Sequence, residues 1–138
     1  MASTDEQTHV SSATTAASIS NKAVQLMSAY TGRGPTKVWT SIDQDLVSVV
    51  LRDTLTKGER SLVADGRAEL VLGMRKAYQQ TMRNELIAAV ERLTGRKVIA
   101  FLSDNHIDPD IAIECFVLES RQGSDQDGEP DDGTDGGG

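Results

Sequence analysis

Three groups of residues have the types and spacing to do chemistry. Gly32-Arg33-Gly34-Pro35 combines backbone that a ligand can approach closely with a planar guanidinium fork suited to carboxylate, bicarbonate or phosphate. The same four residues also read as a helix stop followed by a surface arginine. They lead into a β-branched run rather than a helix, so they lack the converging amides of a phosphate loop. The second group alternates acids and an imidazole: Asp104, His106, Asp108 and Asp110, in a turn that also holds Asn105. Such donors suit a divalent cation, but the spacing matches no established metal loop, and Asp-Pro is equally what a hairpin connection requires. The third group is basic: Arg67, Arg75, Lys76, Arg83, Arg92, Arg96 and Lys97. Interleaved with Glu69, Glu85 and Glu91, it reads as a solvated helix face.

No nucleophile, base and orienting group can be assembled. Motifs for nucleotide loops, zinc sites and Ser or Cys hydrolases are absent. The chain is therefore expected not to be an enzyme and to hold neither cofactor nor metal. Nucleic acid would ask for a denser basic stripe with aromatics for stacking, so it is not the expected partner. The single cysteine, Cys115, lies in an apolar run and reads as a buried small hydrophobe.

The elements that must position these residues follow from periodicity. Ile19, Ala23, Leu26, Met27 and Tyr30 recur at helical spacing, with Ser18 or Ser20 as cap, Gly32 as stop and Pro35 against resumption. Residues 36–42 and 46–52 are β-branched runs joined by Asp43-Gln44-Asp45, a hairpin. In the second run both faces are largely apolar, which predicts a well-buried strand. Thr56 and Glu59 fit a capping box, and Asp65-Gly66 divides a short helix from a long one over about residues 67–94. Arg75, Gln79 and Arg83 share a polar side of that long helix. Residues 97–102 and 111–118 are again strands, with Ser103 to Asp110 as a polar turn. The order α-β-β-α-β-β predicts an α+β two-layer sandwich: a four-stranded, mainly antiparallel sheet with one long helix packed on it.

The net charge of −7 is unevenly spread. All 14 basic residues lie between Lys22 and Arg121, alongside 13 of the 21 acids, so the middle is nearly neutral and the acidity belongs to the ends. Residues 1–17 and 121–138 offer no spaced large apolar groups, and both are expected to be disordered tails around a domain of residues 18–120. No stretch approaches a membrane span, and no basic region followed by an apolar segment marks a secretory signal. A cytoplasmic protein without direct membrane insertion is expected.

Three stretches, TGRGPTKVWTSIDQDLVSVVLRDTLTKGERSLV, ELVLGMRKAYQQTMRNELIAAVERLTGRKV and AFLSDNHIDPDIAIECFVLE, occur in order. Together they resemble the MpsC-type domain, named for a Na⁺-translocating, membrane-potential-generating system. The resemblance covers about Ile19 to Glu119. It implies an accessory or regulatory module associated with a membrane ion or inorganic-carbon transport system, or a stand-alone relative. It marks Gly32, Arg33, Gly34 and Pro35, Arg75, and the turn with Asp104, Asn105, His106 and Asp108 as family-like positions, without assigning them a role. Alternatives are a small-anion or metal-ion sensing domain built on Arg33 and the Asp104–Asp108 turn, and a nucleic-acid-binding α+β domain.

Length adds an expectation about assembly. The long helix would measure ~42 Å, whereas a globule of this size is ~34 Å across, so the helix is expected to overhang its domain or to break near Gly73. An overhanging end carrying Met82, Leu86, Ile87 or Val90 would be exposed, which predicts a homodimer that covers it.

Overall fold

The computed structural model describes residues 4–120, with side chains from residue 13 onward. The expectation for residues 121–138 lies outside the described residues. The elements are α1 (Thr4–Thr31), β1 (Lys37–Asp43), β2 (Leu46–Arg52), α2 (Lys57–Ala64), α3 (Ala68–Thr94), β3 (Val98–His106) and β4 (Ile111–Leu118). The sheet order is β1-β2-β4-β3, antiparallel throughout. This is the expected α+β architecture, with the long helical stretch divided where Asp65-Gly66 stands.

Local chemistry sets the boundaries. Gly32 ends α1 at φ 82°, donating its N–H to the Ser28 carbonyl at 2.9 Å. Thr56 caps α2 in a full capping box: Glu59 N–H donates to Thr56 Oγ1 at 3.1 Å, and Thr56 N–H donates to Glu59 Oε1 at 2.8 Å. Gly95 closes α3 at φ 71°.

α1 and α3 pack on one face of the sheet. Ile19, Ala23, Leu26 and Met27 of α1 meet Met82, Leu86 and Val90 of α3 over Val47, Val49, Leu51, Ala112, Phe116 and Leu118. α1 begins at Thr4, well before the expected cap at Ser18 or Ser20, so the boundary drawn after residue 17 falls inside the helix. At 28 residues it matches α3 in length, and the two run together.

That pairing corrects the reason given for a dimer. Met82, Leu86 and Val90 are 2%, 5% and 1% exposed within the single chain, and Ile87 is half-buried against the same core. The helix leaves no apolar end for a partner to cover there. The well-buried reading of residues 46–52 is also half corrected. Val47, Val49 and Leu51 are buried, but the opposite side of β2, with Leu46 43% exposed, faces no described helix.

Candidate functional site

The inward side of α3 is not purely apolar. Val71, Arg75, Gln79, Met82, Leu86 and Val90 share it, and Arg75 is among the least exposed residues of the chain at 2%. The solvated polar side expected for Arg75, Gln79 and Arg83 therefore divides. Arg75 and Gln79 turn inward because inward carboxylates meet them; Arg83 stays outside, 5.9 Å from the Phe101 ring centroid.

Arg75 meets Glu59 in a two-pronged pair. Its Nε donates to Glu59 Oε2 at 3.0 Å, and its Nη2 donates to Glu59 Oε1 at 2.6 Å and to the Thr54 carbonyl at 2.5 Å. One guanidinium thus ties α3 to the first turn of α2 and to the loop before it. That loop is held from its other side by Asp110, which accepts from Thr54 Oγ1 at 3.0 Å and from Leu55 N–H at 2.9 Å. Asp53 N–H donates to the Asp110 carbonyl at 3.0 Å.

Asp53 sits in the left-handed region at φ 60°, which aspartate tolerates better than most residues. Its carbonyl accepts from Arg33 Nε at 3.3 Å and Nη2 at 3.2 Å, and its carboxylate pairs with Arg33 at 2.9 Å and with Arg60. Burial pushes this carboxyl up, but hydrogen bonds from Arg60 and Thr36 and the charges of Arg33 and Arg60 outweigh it. The group ends below its ordinary value. Gly34 lets the chain pass close to α1, since a Cβ there would lie 2.6 Å from Ser28 Oγ.

The structure therefore joins Arg33, Arg75 and Asp110 through residues 53–60. The sequence reading missed Asp53, Thr54 and Arg60 as members. Glu59 was legible only as a cap; its capping geometry turns the carboxylate back toward the loop, where Arg75 arrives.

The Asp104, Asn105, His106 and Asp108 group does not converge. The expected turn begins later than Ser103: β3 continues to His106, with Ser103 opposite Glu114 and Asn105 opposite Ala112. An edge strand accepts polar residues because one side of it meets water. Alternation then sends Asp104 and His106 outward and Asn105 toward α3. His106 Nδ1 donates to the Pro109 carbonyl at 2.8 Å, within the turn. Among the described residues no three His, Cys, Asp or Glu side chains are placed to hold a metal ion.

Asn105 instead joins a second buried group. Its Nδ2 donates to Gln79 Oε1 at 2.8 Å, and Gln79 Nε2 donates to Glu114 Oε2 at 3.2 Å. Glu114 is 2% exposed, and its Oε1 has no partner. Burial pushes its carboxyl up to about 8, only partly opposed by the bond from Gln79. The clue in the sequence was a carboxylate on the inward alternation of β4, between Ala112 and Phe116. Beside it, burial pushes the Cys115 thiol up, with Glu114 charge adding to the effect, which keeps it a poor nucleophile.

These features define a two-layer α+β domain with helices on one sheet face and a fixed polar network at one end. A family model described as Na⁺-translocating membrane potential-generating system (MpsC) matches residues 11–120, and the chain belongs to that family. No curated protein and no solved structure matches it. No helix among the described residues is long and apolar enough to cross a membrane.

Proposed function

We propose that this chain is a cytoplasmic, non-enzymatic, homodimeric accessory module that serves a membrane ion or inorganic-carbon transport system by binding one of its proteins. The observation that carries this reading is the state of the charges at the Arg33–Asp53 end. Arg33 meets the Asp53 carbonyl and carboxylate, Asp110 meets Thr54 and Leu55, and Arg75 meets Glu59. A network whose groups are already committed to one another does not polarise a substrate or offer a vacant coordination position. It does hold Arg33, Asp53 and Arg60, each a third or more exposed, in fixed positions. Fixed, exposed charges suit protein recognition. The family name supplies the membrane system as context.

Affinity capture from the membrane fraction of native cells, with wild type beside Arg33→Ala, tests the reading. The wild type is expected to enrich an ion-transport membrane protein, and the variant to lose it. Equal capture by both would return this loop to a purely structural part, and enrichment of no membrane protein would remove the functional reading.

A further inference from the structure

We propose that the uncovered face of the sheet seats a second copy of this chain, related by a two-fold axis running across the strands. The proposal rests on the dimeric reading above and gives it a surface.

The face turned away from α1 and α3 is apolar and open. Trp39 is 44% exposed, Leu46 43%, Leu102 61% and Ile113 38%. Soluble monomers seldom leave such a continuous patch in water. Residues 121–138, RQGSDQDGEPDDGTDGGG, contain no large apolar side chain and are poor candidates to cover it. Four strands at ~4.8 Å and seven residues at ~3.3 Å span a face of roughly 19 by 23 Å. In projection that is about 440 Å², roughly half of the ~800 Å² per partner of a standard interface before side-chain relief adds to it.

The ladder registers make the face complementary to itself. One row across the sheet is Trp39, Val50, Ile113 and Asp104; the next is Ser41, Ser48, Cys115 and Leu102. A two-fold axis across the strands, midway between these rows, lays each row on the other in the partner. On three of the four strands the central rows then match a large side chain with a small one: Trp39 over Ser41, Val50 over Ser48, Ile113 over Cys115. On β3 Leu102 meets Asp104, and in the outer rows Leu46 meets Arg52 and Val117 meets Ile111. The same operation carries Lys37, at one end of β1, over Asp43, at the other end, twice per dimer. A two-fold axis along the strands would stack Val50 on Ile113, press Trp39 against Asp104 and bring Lys37 and Asp43 to no opposite charge. Sheets packed face to face sit about 10 Å apart, a gap that interdigitated large and small side chains fill.

Lys37 and Asp43 are exposed, so reversing them does not threaten the fold. Sedimentation of the full chain, with emission of its one tryptophan followed on dilution, tests the arrangement. Wild type should be a dimer whose Trp39 emission moves to longer wavelength as it dissociates. Lys37→Asp and Asp43→Lys should each weaken association about tenfold, and the double reversal should restore it. A dimer indifferent to both reversals, with Trp39 emission unchanged on dissociation, overturns this seat while leaving a dimer. Single reversals that weaken association without rescue by the double overturn the two-fold arrangement. A monomer throughout overturns the seat and the dimeric reading together.

Discussion

Glu59 and Glu114 are buried alike, at 4% and 2% exposure, and both reach toward α3. Their partners differ. Glu59 meets a guanidinium with both oxygens and also closes a helix cap. Glu114 meets one amide of Gln79 and leaves its other oxygen without a partner. The first is a fastening between elements; the second is a carboxyl that burial keeps protonated up to about pH 8. Burial alone does not give a buried acid its role. One helical turn along α3, from Arg75 to Gln79, separates an ion pair from a neutral acid.

The sharpest way to break the comparison is to remove Arg75. Arg75→Ala leaves Glu59 as an uncompensated buried charge and should cost about 3–5 kcal/mol in urea unfolding. Replacing both partners, Arg75→Met with Glu59→Leu, should cost clearly less than Arg75→Ala despite the lost cap. If Arg75→Ala proves nearly neutral, this pair is no fastening.

Glu114 makes the opposite prediction, and its sign can be worked out. Its folded value of about 8 lies above its ordinary value of 4.5. Between the two, the folded chain therefore holds a proton that the unfolded chain has released. This contribution to stability is fully present below pH ~4.5, declines as pH rises, and levels off above ~8. Glu114→Gln should flatten that decline and stabilise the protein at neutral pH by about 3 kcal/mol. Unfolding curves from pH 5 to 9 check it, and an unchanged slope in the variant would assign the pH dependence elsewhere. Asp53 works in the other direction. Its folded carboxyl lies below its ordinary value, so its contribution is present at neutral pH and lost on acidification.

Two smaller effects complete the series. Arg33→Ala removes a surface pair and should change stability by no more than ~0.5 kcal/mol, so a loss of partner capture in that variant would not be a folding defect. Deleting residues 122–138 should leave the thermal midpoint within a few degrees, since that segment offers nothing to a core. A larger drop would mean that the acidic segment packs on the domain.

Much of this was legible in the chain because its causes are local. The capping box at Thr56, the glycine stops at Gly32 and Gly95, and the hairpin around Gln44 each depend on residues a few positions apart. So does the alternation that makes residues 46–52 and 111–118 strands. The candidate site was legible in part: Arg33, Arg75 and Asn105 stand in polar networks, but not in one network. Asp104, Asn105, His106 and Asp108 were grouped by proximity in sequence, but strand alternation turns Asn105 to the face opposite Asp104 and His106, and Asp108 lies in the turn beyond β3.

What the sequence determined by itself was the succession of elements and the inward or outward phase of the strands, because hydrophobic period and caps act within a few residues. Partnership was decided by tertiary structure. Arg75 reads as polar surface until Glu59, sixteen residues away, arrives beneath it. Glu114 reads as a misplaced charge until the packing of α3 over β4 buries it as a neutral acid, with Gln79, thirty-five residues away, as its partner. The two apolar sides of residues 46–52 predicted burial on both. Only the packing of α1 and α3 onto the same face decided that one is covered within the chain and the other left open, since a residue's hydrophobicity states a preference for burial and not what will bury it.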